Sequence, residues 1–136
     1  MTIRNLEPKA VWENFYLLTR CPRPSKHEEI VRDFLVKWAA ERGIACTVDE
    51  TGNVIMSKPA TPGMENRKAV VLQAHMDMVP QARAGKVHDF TKDPIETQIK
   101  GEWVYACDTT LGADDGLGVA AAMAVLESKT LKHGPI

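Results

Sequence analysis

The sequence predicts an α/β fold in which a mixed sheet is flanked by helices, and three observations predict it. Two segments near the N-terminus carry apolar residues at helical spacing. A continuous apolar run, Ala69-Val70-Val71-Leu72-Gln73-Ala74, suits a strand covered on both faces, as in a parallel sheet. An alanine-rich stretch then follows whose small side chains let a helix pack closely on such a sheet. With 136 residues, the chain is long enough for one domain with a real core. A chain of this size buries roughly two-thirds of the surface its unfolded form exposes.

Pro8 is a good first-turn residue, and Val11, Phe15 and Leu18 recur on one helical face. That helix should end before Cys21-Pro22-Arg23-Pro24, where two prolines forbid continuation. Ser25 followed by Glu28 has the form of a capping box, which predicts a second helix starting there. Its apolar stripe is Ile30, Val31, Phe34, Leu35 and Trp38, and Gly43 is a natural stop. His27, among charges in the first turn, is expected at the surface.

From Gly43 the period changes. Ile44–Val48 and Asn53–Met56 flank Thr51-Gly52, the pattern of two short strands and a turn. Pro59 to Lys68 is a polar loop, and the apolar run at 69–74 follows it. Residues 81–94 form a charged loop. Two further short strands are expected around Thr97–Ile99 and Trp103–Cys107, with Gly101-Glu102 between them. Residues 116–128 should be helical, with Leu117, Ala120, Ala121, Ala124 and Val125 as the apolar face, and His133-Gly134-Pro135-Ile136 ends the segment.

Composition excludes little and supports a plain globular class: 44% hydrophobic, 26% charged and a net charge of -1. Lysines and arginines are scattered among acids, so neither a nucleic-acid nor an anionic-membrane partner is expected. The first ten residues contain no apolar core of a signal peptide, and no stretch approaches the roughly 18 apolar residues of a membrane span. Cys21, Cys46 and Cys107 lie far apart with no CxxC spacing, which fits free thiols in a reducing compartment and makes the cytoplasm the expected location.

Two clusters can carry chemistry. His75 and Asp77 come directly after the apolar run, at the end of the expected strand, where open α/β sheets place ligand sites. In extended backbone, residues i and i+2 point to the same side, so the imidazole and the carboxylate can meet. That pairing suits a metal-bound histidine whose other ring nitrogen is held by an acid, and equally an ordinary hydrogen-bonded surface pair. The second cluster is Asp114-Asp115, at a loop-to-helix junction. One aspartate suffices to cap a helix; a second beside it adds repulsion unless a cation or donor is near. A phosphate loop fits poorly, because Gly112, Gly116 and Gly118 do not form GxGxxG and two acids would repel phosphate. Together, the clusters match a two-metal hydrolase, where a carboxylate bridges two ions and a histidine serves one of them. Nitrogen and oxygen donors fit zinc, with manganese or cobalt as alternatives.

The ordered motifs Ala74-His75-Met76-Asp77-Met78-Val79-Pro80-Gln81, His88-Asp89-Phe90-Thr91-Lys92-Asp93-Pro94 and Thr110-Leu111-Gly112-Ala113-Asp114-Asp115-Gly116 resemble the aminoacyl-histidine dipeptidases. These belong to a group of co-catalytic zinc peptidases that includes peptidase T, carboxypeptidase G and the aminoacylases. The resemblance covers nearly the whole chain. It implies that His75 ligates one zinc, that Asp77 orients this histidine and counts as catalytic, and that Asp114 bridges both zincs. Asp115 would be a neighbour rather than a ligand, joined to Asp114 by a cis peptide. The implied activity is hydrolysis of dipeptides, preferentially Xaa-His, with two zincs in the complete enzyme.

Members of that family continue into a strand ending in paired glutamates, one the general base and its neighbour a zinc ligand. Another acidic ligand, a distant histidine and an inserted lid follow. Residues 1–136 are therefore expected to be the N-terminal part of the catalytic domain, without the lid and dimerisation domain or the C-terminal half, and inactive alone. The full-length enzyme is compatible with a homo-oligomer. Two other functions stay open on the sequence: a stand-alone metal-binding or interaction domain, and an acylase or carboxypeptidase of the same superfamily.

Overall fold

The computed structural model describes residues 2–136. A 3-10 turn at Ile3–Asn5 leads into α1 (Lys9–Thr19), α2 (Glu29–Glu41), the hairpin β1 (Ala45–Val48) and β2 (Val54–Ser57), the hairpin β3 (Thr97–Lys100) and β4 (Trp103–Ala106), and α3 (Ala113–Glu127). The class is mixed α/β, as the sequence implies, with helices and small sheets. Both sheets are antiparallel pairs.

The helices form where the periodicity places them. Pro8 is the residue before α1, and α1 ends at Thr19 ahead of the two prolines. Phe15 and Leu18 of α1 are fully buried, and Val31, Leu35, Trp38 and Ala39 of α2 join them. Ile3 from the N-terminal turn and Val119, Ala120, Met123 and Leu126 from α3 complete one contiguous core. α1 lies along α3, while α2 carries the β1–β2 hairpin at its far end. Each large side chain buried here contributes about 1.5–3 kcal/mol relative to exposure, so these few residues dominate the burial term.

Three expectations are corrected. The run at 69–74 is not a buried strand: Val70, Val71 and Leu72 are exposed, Val71 by 88%. A covered parallel strand needs hydrogen-bonded neighbours on its edges. Among the described residues this run has no ladder, only a bond from Val70 N–H to the Pro135 carbonyl at 3.0 Å. The apolar face of α3 is also rotated from expectation. Gly116, Val119, Ala120, Met123 and Leu126 are buried, whereas Ala121 is exposed. An alanine-rich helix is apolar on every side, so periodicity does not select its buried face. Finally, Ser25 does not cap α2; the residue before that helix is Glu28, which makes no side-chain cap bond.

The hairpins follow their turn chemistry. β1 and β2 pair Cys46 with Met56 and Val48 with Val54, and Cys46 and Met56 both face inward, half-buried. Their turn is organised by Asp49. Its carboxylate accepts from Thr51 N–H at 3.0 Å, the Thr51 hydroxyl at 2.9 Å and Asn53 N–H at 2.8 Å, and its other oxygen accepts from the Asn53 side chain at 2.7 Å. The Asn53 donors, then those of Thr51, hold this carboxyl down at about 2, below its ordinary 3.8. A depressed carboxyl stabilises the fold fully above its unfolded value, and that contribution is lost as pH falls from 3.8 through about 2. Thermal melts should therefore converge for wild type and Asp49→Ala near pH 2 and separate at pH 5, with the variant less stable. Equal melting temperatures at pH 5 would refute the turn's contribution.

The three cysteines are free and half-buried, and burial pushes the Cys21 thiol up to about 11, far from a reactive thiolate. No helix of the described residues is long and apolar enough to cross a membrane.

Candidate metal centre

The loop leaving the 69–74 run brings His75 against Asp77 and Asp114, two of the three aspartates singled out in the sequence. The His75 ring nitrogen Nδ1 lies 3.0 Å from Asp77 Oδ1, and Nε2 lies 3.0 Å from Asp114 Oδ1. The i, i+2 pairing of His75 with Asp77 thus forms, although the strand expected to lead into it does not. Asp114 arrives from 39 residues further along, at the kinked entrance to α3.

Asp114 and Asp115 divide their work. Asp115 turns inward, and its Oδ1 accepts a hydrogen bond from the Gly118 N–H at 3.2 Å, closing the first turn of α3. Asp114 and Asp115 both have non-helical backbone, and the peptide between them is cis, in accord with the resemblance. Asp114 is left with its side chain 97% exposed and only His75 as a partner, so its second oxygen faces open space.

Electrostatics within the cluster favour a charged pair. Partial desolvation pulls the His75 pKa down, but the hydrogen bonds its ring donates to the Asp114 and Asp77 carboxylates outweigh it and leave the imidazole above its ordinary 6.5. Asp77 is held below the usual carboxylate range, first by Ser25 and then by His75. The Ser25 hydroxyl donates to Asp77 Oδ2 at 2.6 Å, so each carboxylate oxygen of Asp77 has its own donor.

Behind these residues lies a side chain that the sequence did not single out. Arg23 is 2% exposed, and its guanidinium donates to the carbonyls of Met76 at 3.1 Å, Asp77 at 3.3 Å and Gly112 at 2.7 Å. Burial pulls its pKa down, opposed by Cys21 and Asp77. The backbone of Arg23–Ser25 also bonds directly to Met78: Met78 N–H donates to the Arg23 carbonyl at 2.9 Å and Ser25 N–H to the Met78 carbonyl at 3.2 Å. The only sequence signal for this contact was an arginine enclosed by Pro22 and Pro24. Ser25, expected as a helix cap, serves Asp77 instead.

The donor set suits a transition-metal ion in part. Two donors on one tetrahedral zinc at about 2.0–2.1 Å stand roughly 3.4 Å apart. The His75–Asp114 separation of 3.0 Å is close to that, and also makes an ordinary ion-paired hydrogen bond. No third His, Cys, Asp or Glu joins them in a metal-holding group among the described residues. A surface concavity lined by residues such as Ile44, Lys58, Leu126 and His133 includes neither His75 nor Asp114.

No family model matches the chain. Comparison with curated proteins finds 52% identity over 134 residues with the cytosol non-specific dipeptidase of Escherichia coli (strain K12), covering 98% of this chain and 28% of that protein. Among solved structures, an aminoacylhistidine dipeptidase from Vibrio alginolyticus superposes with a TM-score of 0.97 and 55% identity, over 100% of this chain and 28% of that one. An aminopeptidase from Bacillus cereus matches at TM-score 0.72 and 26% identity, over 96% of this chain and 35% of its own. A tripeptidase from Staphylococcus aureus shares the fold at TM-score 0.74 and 21% identity, over 96% of this chain and 35% of that one. The chain spans little more than a quarter of the first two relatives' length.

Proposed function

We propose that this chain, related along its whole length to dipeptidases, supplies one side of a two-zinc centre that hydrolyses dipeptides, preferentially those ending in histidine. The observation that carries this is the meeting of His75 Nε2 and Asp114 Oδ1 at 3.0 Å while Asp77 holds the opposite ring nitrogen. His75 and Asp114 would hold metal, Asp114 with its free oxygen available to a second ion. Asp77 would fix the tautomer that presents Nε2 as a donor. Zinc is the expected metal, with manganese or cobalt as alternatives on the same N and O donors. Bound there, such an ion supplies Lewis acidity toward a peptide carbonyl and makes hydroxide available near neutral pH.

The chain's own residues orient and expose. Ser25 steadies Asp77, Asp77 steadies His75, and Asp115 closes α3 so that Asp114 projects outward. The exposure of Asp114 leaves room for a dipeptide and for further ligands from elsewhere in a longer protein. The name of the Escherichia coli relative and the half-buried free thiols support a cytoplasmic location. A dipeptide is the proposed partner, with no nucleic acid or membrane, and a longer form is compatible with a homo-oligomer.

Two ligands cannot close a tetrahedral site. The 136-residue chain is therefore expected to bind zinc only weakly and to turn over no Xaa-His dipeptide. Incubation of purified chain with zinc and such a dipeptide checks this. Turnover that disappears in His75→Ala would contradict the partial site while supporting the metal.

A further inference from the structure

We propose that Arg23 is a positioning residue for the metal centre, a clamp that fixes the distance between the His75 and Asp114 segments. This rests on the reading of His75 and Asp114 as ligands of one ion. The guanidinium sits between two stretches of chain with no secondary structure in common. One nitrogen, Nη1, donates to the carbonyls of Met76 and Asp77, which flank and follow His75. The other, Nη2, donates to the Gly112 carbonyl, two residues before Asp114. Further along, Thr110 ties the same two stretches together, its hydroxyl donating to the Val79 carbonyl at 2.6 Å and its N–H to the Gln81 carbonyl at 2.8 Å. Beside the ligands themselves, the fork is the hydrogen-bonded link from Met76 and Asp77 to Gly112.

The surroundings are built around this side chain. A Cβ on Gly112 or on Gly116 would come within 2.6 Å of Arg23 Nη2, and Gly112 has a φ of 71° that disfavours other residues. Both glycines thus leave the volume that the guanidinium fills. Burying a charged group without a carboxylate is costly, and an apolar side chain of similar size would fill the space with less desolvation. What an apolar side chain lacks is a planar fork of donors that can reach carbonyls on two segments at once. Arg23 Nε is buried without a partner, so the group is spent on the bridge rather than on satisfying itself.

The test is an NMR experiment on the 15N-labelled chain and its Arg23→Met and Arg23→Lys variants, without metal and then with manganese(II) added. In metal-free Arg23→Met, amides of residues 75–78 and 112–116 should shift together while those of α1 and α2 stay in place. The manganese concentration that half-broadens these amides should rise about 10-fold or more, the size of effect seen when the support of a metal ligand is lost. Arg23→Lys should recover part of the affinity, because an ammonium reaches carbonyls on one of the two segments but lacks the fork that spans both. Unchanged manganese affinity in a folded Arg23→Met overturns the proposal, as does a loss that merely tracks the unfolded fraction. Should Arg23→Met fail to fold, Arg23→Lys decides: full affinity overturns the clamp, and reduced affinity with intact core shifts supports it. A wild-type chain that takes up no manganese sinks the metal reading alone. The metal-free shifts then judge the clamp, and changes confined to residues beside position 23 overturn it.

Discussion

Phe15→Ala should cost about 3–5 kcal/mol of folding stability, the usual range for deleting a buried aromatic ring. Phe15 is fully buried on the face of α1 that meets α3. Its ring stands edge-on to Trp12 with centroids 6.0 Å apart, and its Cε2 would lie 3.0 Å from any Cβ placed on Gly116. The glycine lets α3 approach the ring so closely that no side chain can move in to fill the void. Domains are stable by only about 5–15 kcal/mol, so a large share of the total would be lost. In urea, with a slope near ~1–3 kcal/mol per molar, the midpoint should fall by roughly 2 M. Val36→Ala, on the outer side of α2, is the matched control and should shift it little. A Phe15→Ala midpoint within experimental error of wild type would mean that α1 and α3 are not held together as described.

The second large effect falls on metal affinity. Asp77→Asn should weaken zinc binding about 10–100-fold, the usual consequence of removing an acid that orients a metal-bound histidine. The carboxylate now accepts from Ser25 through one oxygen and faces His75 Nδ1 with the other. An amide keeps the shape but loses the charge, and one of its two ends becomes a donor that cannot serve a protonated ring nitrogen. The His75 tautomer is then no longer fixed. Folding should change little, because Asp77 lies outside the apolar core. Zinc titration with a competing chelator, beside a thermal melt, separates the two effects. A variant that binds zinc as well as wild type would remove Asp77 from its orienting role.

Much of this architecture could be read from residue types alone, for identifiable reasons. α1 and α2 each have one apolar stripe and a proline or glycine boundary, so both the period and the punctuation agree. The hairpins carry β-branched strands around Thr51-Gly52 and Gly101-Glu102, where local turn chemistry decides the structure. The pairing of His75 with Asp77 is local, two residues apart, so it is legible without a distant partner. The contact with Asp114 spans 39 residues; residue types made the two clusters a candidate two-metal site, and the resemblance to a known family singled out Asp114 over Asp115.

The parts that could not be read depend on partners distant in sequence. The 69–74 run has the composition of a buried strand, but burial requires neighbours that these residues do not have, and Val71 stays in solvent. Ser25 fits a capping box by spacing, yet a carboxylate more than fifty residues away outcompetes the local helix N–H for its hydroxyl. Nothing in the sequence neighbourhood of Arg23 indicates that three carbonyls would enclose it. In α3 the alanines left the buried face undetermined until α1 supplied the opposing surface.

The central claim is that His75 and Asp114 are two ligands of one ion. The most direct measurement is a zinc titration of the 15N-labelled chain that follows the ring nitrogens of all four histidines with the amides of residues 113–118. Zinc should move the His75 ring and the Asp114 and Asp115 amides together along one weak binding curve, leaving His27, His88 and His133 unaffected until higher concentrations. Zinc that reaches another histidine first, or that shifts His75 without the Asp114 segment, would contradict a shared site.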